Sequence, residues 1–165
     1  MMSTEKLGKT GTFLLLSAFV VLGDQVSKTY ITRHFSEFEF MRVLPILDIT
    51  RLHNVGAAFS FLASASGWQR WFFIALALGV SIAITTWLFR LPKGARALLA
   101  VGLALVLGGA IGNVIDRIRF GHVIDFIHFH WDQAYFPAFN VADSAITVGA
   151  ACLLLDAFLD RKRHL

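Results

Sequence analysis

The chain has 165 residues, of which 56% are hydrophobic and only 16% charged, and its mean hydropathy is +0.65. That length fits one domain, and that composition belongs to an integral membrane protein, which excludes most soluble classes. The formal net charge of +4 does not point to a nucleic-acid partner, because the basic residues gather at the ends of apolar runs and form no continuous patch with interleaved polar groups.

Four apolar stretches are long enough to cross a bilayer as helices, at residues 12–31, 71–89, 97–115 and 141–159. The first has a basic start and an apolar middle, as a cleaved signal peptide would, but no A-x-A-like site follows and the helical pattern continues through "DQVSKTYI". It is read as a retained span. The loop at 32–70 is not a simple connector: "FEFMRVLPILDITRL" has apolar, β-branched character and a proline at Pro45, which predicts short edge-like strands. "GAAFSFLASASGWQRW" then reads as a segment lying at the membrane interface. The last span contains the single cysteine, Cys152, so no intramolecular disulfide is available.

Lys6, Lys9, Arg90, Lys93, Arg96, Arg161, Lys162 and Arg163 collect in short flanks on one side. Arg33, Arg42, Arg51, Arg70 and Arg119 are spread over two longer loops on the other. Positive charge is retained on the cytoplasmic side, so both termini are expected there. The fold class read from these patterns is an all-α membrane protein with four transmembrane helices, a small periplasmic β-rich cap and an interfacial segment, all in one domain.

Ionisable side chains in spanning helices cost several kcal/mol, so each is a functional candidate. Here they gather at one end. Asp24 and Lys28 lie four apart near the outer end of the first helix, and Asn113, Asp116 and Arg117 share a face near that of the third. Asn140 and Asp143 mark the outer start of the fourth, with Asp125 in the loop between the third and fourth. Several have structural explanations. Asp24 with Lys28, and Asp116 with Arg117, read as ion pairs joining helix ends; Gly108 and Gly112 stand at the spacing of close helix packing. Asn140 and Asp143 fit the N-cap and third position of a capping box, which explains Asp143 about as well as catalysis does. No such device accounts for Asp125, set between "HVI" and "FIHF".

Two carboxylates held together share one proton, so that one takes a proton from water while the other donates to a carbonyl oxygen, as in aspartic proteases. Asp143, in a first helical turn, suits the base, and Asp125, among apolar neighbours, suits the proton holder. A rival reading places a metal on His122, His128, His130 and Asp125, but "HFH" lacks the helical HExxH arrangement, and His128 and His130 are expected to face the interface. A second rival is a proton-coupled transporter using the carboxylates as relays.

Five motifs in order resolve the choice: "DQVSK" at 24–28, "NVGAAFSF" at 54–61, "GNVIDR" at 112–117, "GHVIDF" at 121–126 and "FNVADS" at 139–144. With them the chain closely resembles the lipoprotein signal peptidase family, the bacterial type II signal peptidases, over essentially its whole length. The resemblance implies a multi-pass aspartyl endopeptidase of the inner membrane, working at the periplasmic face. It would remove signal peptides from prolipoproteins by cutting just before a diacylglyceryl-modified cysteine. It implies catalytic Asp125 and Asp143, substrate-lining Asn54, Gly56, Asn113, Arg117 and Asn140, and supporting polar residues Asp24, Lys28 and Asp116. It calls for no cofactor, and for a lipidated prolipoprotein and membrane lipid as partners of a monomer. Val55, where many relatives carry a polar residue, is a small departure.

Overall fold

The protein is described by a computed structural model covering residues 4–56, 67–92, 96–132 and 134–161, with α1 side chains from residue 10 onward. The chain order is α1 (Thr4–His34), β1 (Phe40–Leu44), β2 (Leu47–Asn54), α2 (Trp68–Arg90), α3 (Ala97–Phe120), β3 (Val123–Trp131), β4 (Ala134–Tyr135) and α4 (Val141–Arg161). Each helix contains a stretch long and apolar enough to cross a membrane. Most of the interfacial segment expected at 56–71, the turn residue Lys93, Lys162 and Arg163, and the side chains of Lys6 and Lys9, lie outside the described residues.

Helix α3 is the axis of the bundle. About 61% of its most apolar window is buried, against 17 to 22% for the other three helices, which present Leu15, Phe19, Leu22, Leu76, Ile82 and Leu154 outward. Such an exterior suits a lipid solvent, where burial of apolar surface is unnecessary but every backbone group must be bonded within its own helix. The glycines of α3 let two neighbours, α1 and α4, approach it closely. A Cβ at Gly108 would lie 2.7 Å from the Ser17 carbonyl of α1, and one at Gly109 would collide with the Ala142 carbonyl of α4. The expected close-packing role of Gly108 and Gly112 is met: Gly112 faces Asp24 of α1 and Ala142 of α4.

The four strands form one antiparallel sheet in the order β1-β2-β3-β4. The β1–β2 hairpin lies within the region expected to form the cap, but β3 and β4 are additions, and β3 is where reading and structure part. The sequence predicts a loop between the third and fourth spans, over residues 116–140. Instead Gly121 ends α3 in the left-handed conformation, with φ 84°, its N–H bonded to the Arg117 carbonyl. The chain then enters a nine-residue strand. Ile124, Phe126 and Ile127 of β3 pack with Ile31, Phe35, Ile49 and Val141, which welds the sheet to α1 and α4. β3 carries Asp125, which stands opposite Leu52 of β2.

At the other end of the bundle Arg96, before α3, donates to Asp156 at 2.7 Å and to Asp160, both on α4. This ties the two helices together far from Asp125.

Candidate active site

The polar residues named from the sequence converge on one buried network, most of whose bonds join different elements, around a few that local backbone geometry sets. Helix α4 begins at Val141 directly after a bridge between Phe139 and Ile127 of β3. Asn140 therefore occupies the N-cap, where its Oδ1 accepts the Asp143 N–H at 2.9 Å. That bond turns the Asn140 Nδ2 the other way, onto Asp125 Oδ1 at 2.7 Å and the Ile124 carbonyl at 3.3 Å. Asn140 is completely buried. One side chain thus joins the backbone of Asp143 to the carboxyl group of Asp125.

The second Asp125 oxygen accepts Asn54 Nδ2 at 3.0 Å, and Asn54 Oδ1 in turn accepts the Gly56 N–H at 3.0 Å. Asp125 is 3% exposed. Burial, and next the charge of Asp143, push its pKa up from the ordinary aspartate range to about 7, although the Asn54 and Asn140 amides pull the other way. Two donated amide bonds do not offset the loss of hydration and a neighbouring carboxylate.

Asp143 lies in the first turn of α4, and its Oδ1 accepts Asn113 Nδ2 at 2.7 Å. Asn113 Oδ1 accepts Lys28 Nζ at 3.1 Å. Lys28 is ion-paired to Asp24 and Asp116, each at 2.8 Å, with all three side chains essentially inaccessible. The expected Asp24–Lys28 pair is present. The expected partner of Asp116 is replaced: its carboxylate faces Lys28 on α1 and also accepts the Ile124 N–H at 3.2 Å. Arg117 instead donates to the Gly56 carbonyl at 3.0 Å and lies over the Phe73 ring at 5.1 Å. Sequence adjacency misled here because consecutive helical residues point in different directions, while Lys28 approaches from another helix.

Asp24 also accepts the Ala142 N–H of α4 at 2.9 Å, satisfying a donor that the helix itself leaves free. Gln25 was overlooked. Its Nε2 reaches Asp116 Oδ1 at 2.9 Å, the Gly112 carbonyl at 3.3 Å and Asp24 Oδ2 at 3.2 Å. The available signal was its place in "DQVSK", three positions before Lys28 on the same helical face.

The histidines have other partners. His122 stacks on His53 at 3.8 Å, and burial followed by the His53 charge holds its pKa below the ordinary histidine value. His128 stacks on Tyr135 at 5.3 Å. His130, expected to face the interface, is buried, with Nε2 3.4 Å from Asp48. Asp48 is itself held by Arg42 at 3.0 Å. Among the described residues no three histidine, cysteine, aspartate or glutamate side chains converge as a metal site would require.

A cavity of about 790 Å³ opens beside the network, lined by α2, α3 and α4. One end is polar, with Asn54, Gly56, Asn113, Arg117 and Asp143, and the rest is apolar, with Leu76, Val80, Val106 and Val148 among its walls. A carboxylate at the head of an apolar groove can receive a chain that is largely hydrophobic and polar at one point.

Comparison with known proteins gives a consistent result. Residues 16–159 match the signal peptidase (SPase) II family. The chain is 51% identical over 152 residues to the lipoprotein signal peptidase of Pseudomonas aeruginosa, covering 91% of this chain and 89% of that protein. It is 50% identical over 152 residues to that of Acinetobacter baumannii, covering 92% and 86%. Among solved structures, a bacterial membrane enzyme determined by the in meso method at 2.3 Å superposes with a TM-score of 0.81 at 33% identity, covering 93% of this chain and 91% of that one.

Proposed function

The chain belongs to the lipoprotein signal peptidase family, the multi-pass aspartic peptidases also called signal peptidase II, and we propose that Asp125 and Asp143 are the pair with which it cuts. The observation that carries this assignment is the Asn140 bridge. A single buried amide holds Asp125 and the first turn of Asp143 in one frame, and Asp143 stands at the polar end of the apolar groove. The family membership displaces the transporter reading.

In the proposed reaction a signal peptide, an apolar helix in its own right, lies in the groove between α2, α3 and α4. Asp143 takes a proton from water, whose oxygen attacks the scissile carbonyl carbon. Asp125, neutral and held by Asn54 and Asn140, donates to the carbonyl oxygen as it gains charge. When the tetrahedral gem-diol collapses, the proton on Asp143 passes to the leaving amine, Asp125 takes back a proton from a gem-diol hydroxyl as the new carboxyl group forms, and the pair is reset. Arg117, already bonded to the Gly56 carbonyl, stands beside the same cavity to hold the peptide backbone through its remaining donors.

The substrate is a prolipoprotein whose cysteine carries a diacylglyceryl group, cut just before that cysteine. The apolar walls beyond Asp143 suit acyl chains. Both termini lie on the cytoplasmic side and the carboxylates at the periplasmic face of the inner membrane; Arg90, Arg96 and Arg161, at the helix ends remote from the carboxylates, support this orientation. One chain supplies every group the reaction uses, which suits a monomer. The test is cleavage by the purified protein in lipid nanodiscs of a diacylglyceryl-modified prolipoprotein beside its unmodified form. Mass spectrometry should find a product beginning at the lipidated cysteine, with the unmodified form left intact. Equal cleavage of both would refute the substrate assignment.

A further inference from the structure

We infer that Lys28 is a positioning residue for this reaction: by fixing the amide of Asn113, it keeps a hydrogen-bond donor on the Asp143 carboxylate. The inference rests on Asp143 being the base. An asparagine amide is nearly symmetric in shape, and a half-turn exchanges its donor and acceptor ends. If Asn113 turned over, its carbonyl oxygen would oppose the Asp143 oxygen that its Nδ2 now meets at 2.7 Å. A base held by a donor would become a base facing an acceptor.

The fixing group is the Lys28 ammonium, which has three donors and no acceptor. Its three neighbours are Asp24 Oδ2 at 2.8 Å, Asp116 Oδ2 at 2.8 Å and Asn113 Oδ1 at 3.1 Å. Three donors meet three acceptors, in a site where the lysine side chain is 2% exposed. Asn113 can offer only its oxygen to such a group. Asn140 Nδ2 also approaches Asn113 Oδ1, but at 3.4 Å, and it serves Asp125 at 2.7 Å and the Ile124 carbonyl at 3.3 Å as well. Lys28 therefore sets the polarity. The other two asparagines have their own locks, each a backbone N–H on Oδ1: that of Asp143 for Asn140 and that of Gly56 for Asn54. Asn113 depends on a side chain from another helix.

A lysine that only neutralised Asp24 and Asp116 would predict something different. In Lys28→Gln the amide can still donate to a buried carboxylate but can also present a carbonyl to Asn113 and so permit the half-turn. Because the substitution also removes a charge that lowers the Asp125 pKa, the double variant with Asn113→Ala is what separates the two roles. The pH dependence of kcat and KM would be measured in nanodiscs for the wild type, Lys28→Gln, Asn113→Ala and the double variant. Lys28→Gln should lower kcat about tenfold or more with KM little changed, and the acidic limb of its profile should move to higher pH. Asn113→Ala should do the same, and the double variant should be no worse than the poorer single one, since both remove one bond. Lys28→Arg, another group that only donates, should leave the limb where the wild type has it, and it carries the test if Lys28→Gln does not accumulate. A wild-type limb in Lys28→Gln accompanied only by a lower melting temperature, losses that multiply in the double variant, or a limb in Lys28→Arg displaced like that of Lys28→Gln would each overturn the inference. Normal cleavage by Asp143→Asn would instead remove the assignment beneath it.

Discussion

Replacing Asp125 by asparagine preserves shape and removes a titrating group, so the pH dependence of stability reports where the proton sits. Burial and the Asp143 charge place the folded-state pKa of Asp125 at about 7, above that of an aspartate in an unfolded chain, near 3.9. A group whose folded pKa is raised contributes its stability below the unfolded value and loses it as pH rises to the folded one. Across that window the folded protein holds one proton more than the unfolded, and unfolding free energy falls by about 1.4 kcal/mol per pH unit. Between pH 5 and 7 the wild type should thus lose about 2 kcal/mol relative to Asp125→Asn, the slope halving as the pH reaches the folded pKa, and above about pH 8 the difference should stay flat. Reversible unfolding in mixed micelles, followed by tryptophan fluorescence at half-unit pH steps, would measure both curves. Parallel curves from pH 4 to 7 would refute the reasoning, because Asp125 would then be ionised throughout the folded state.

Other consequences follow from the same geometry. If neutral Asp125 is the acid, kcat/KM should fall about tenfold per pH unit above the alkaline midpoint near 7, read as a property of the coupled pair; a flat alkaline limb to pH 9 would contradict this. Arg117→Lys keeps the charge but loses the planar fork that reaches the Gly56 carbonyl, so kcat/KM should drop about tenfold or more, the worth of a charge-assisted hydrogen bond; an unchanged value would show that charge alone matters there. Gly109→Ala drives a methyl into the Ala142 carbonyl and should cost about 1 to 3 kcal/mol in unfolding measurements while displacing the helix turn that carries Asp143.

The parts of this molecule legible in its sequence are those that local chemistry decides. The apolar windows marked the helices, although polar turns carry α1 to His34 and α3 to Phe120, past the point where hydropathy fades. Asn140 read as an N-cap and is one, because capping depends on the next three residues only. β3 was missed even though Gly121 ends a helix before a run of β-branched and aromatic residues. Its strand character is realised by pairing with β2, some seventy residues earlier in the chain, and nothing local announces that. Asn54 was expected to line the substrate site and does border the cavity, but it also holds Asp125, a contact that exists only once β2 and β3 are in register. The pairing of Asp116 with Lys28 and the burial of His130 beside Asp48 are likewise nonlocal. Spacing along one helix says which residues share a face, and tertiary packing chooses what that face meets.

The central claim, that Asp125 and Asp143 act together on the scissile bond, is tested most directly by turnover of Asp125→Asn and Asp143→Asn on a lipidated prolipoprotein, with mass spectrometry reporting the new amino terminus and unfolding curves showing that each variant is folded. The account predicts cleavage before the lipidated cysteine by the wild type, unaffected by EDTA, and none above background by either folded variant. Turnover near the wild-type rate by either one, or loss of wild-type activity in EDTA, would contradict it.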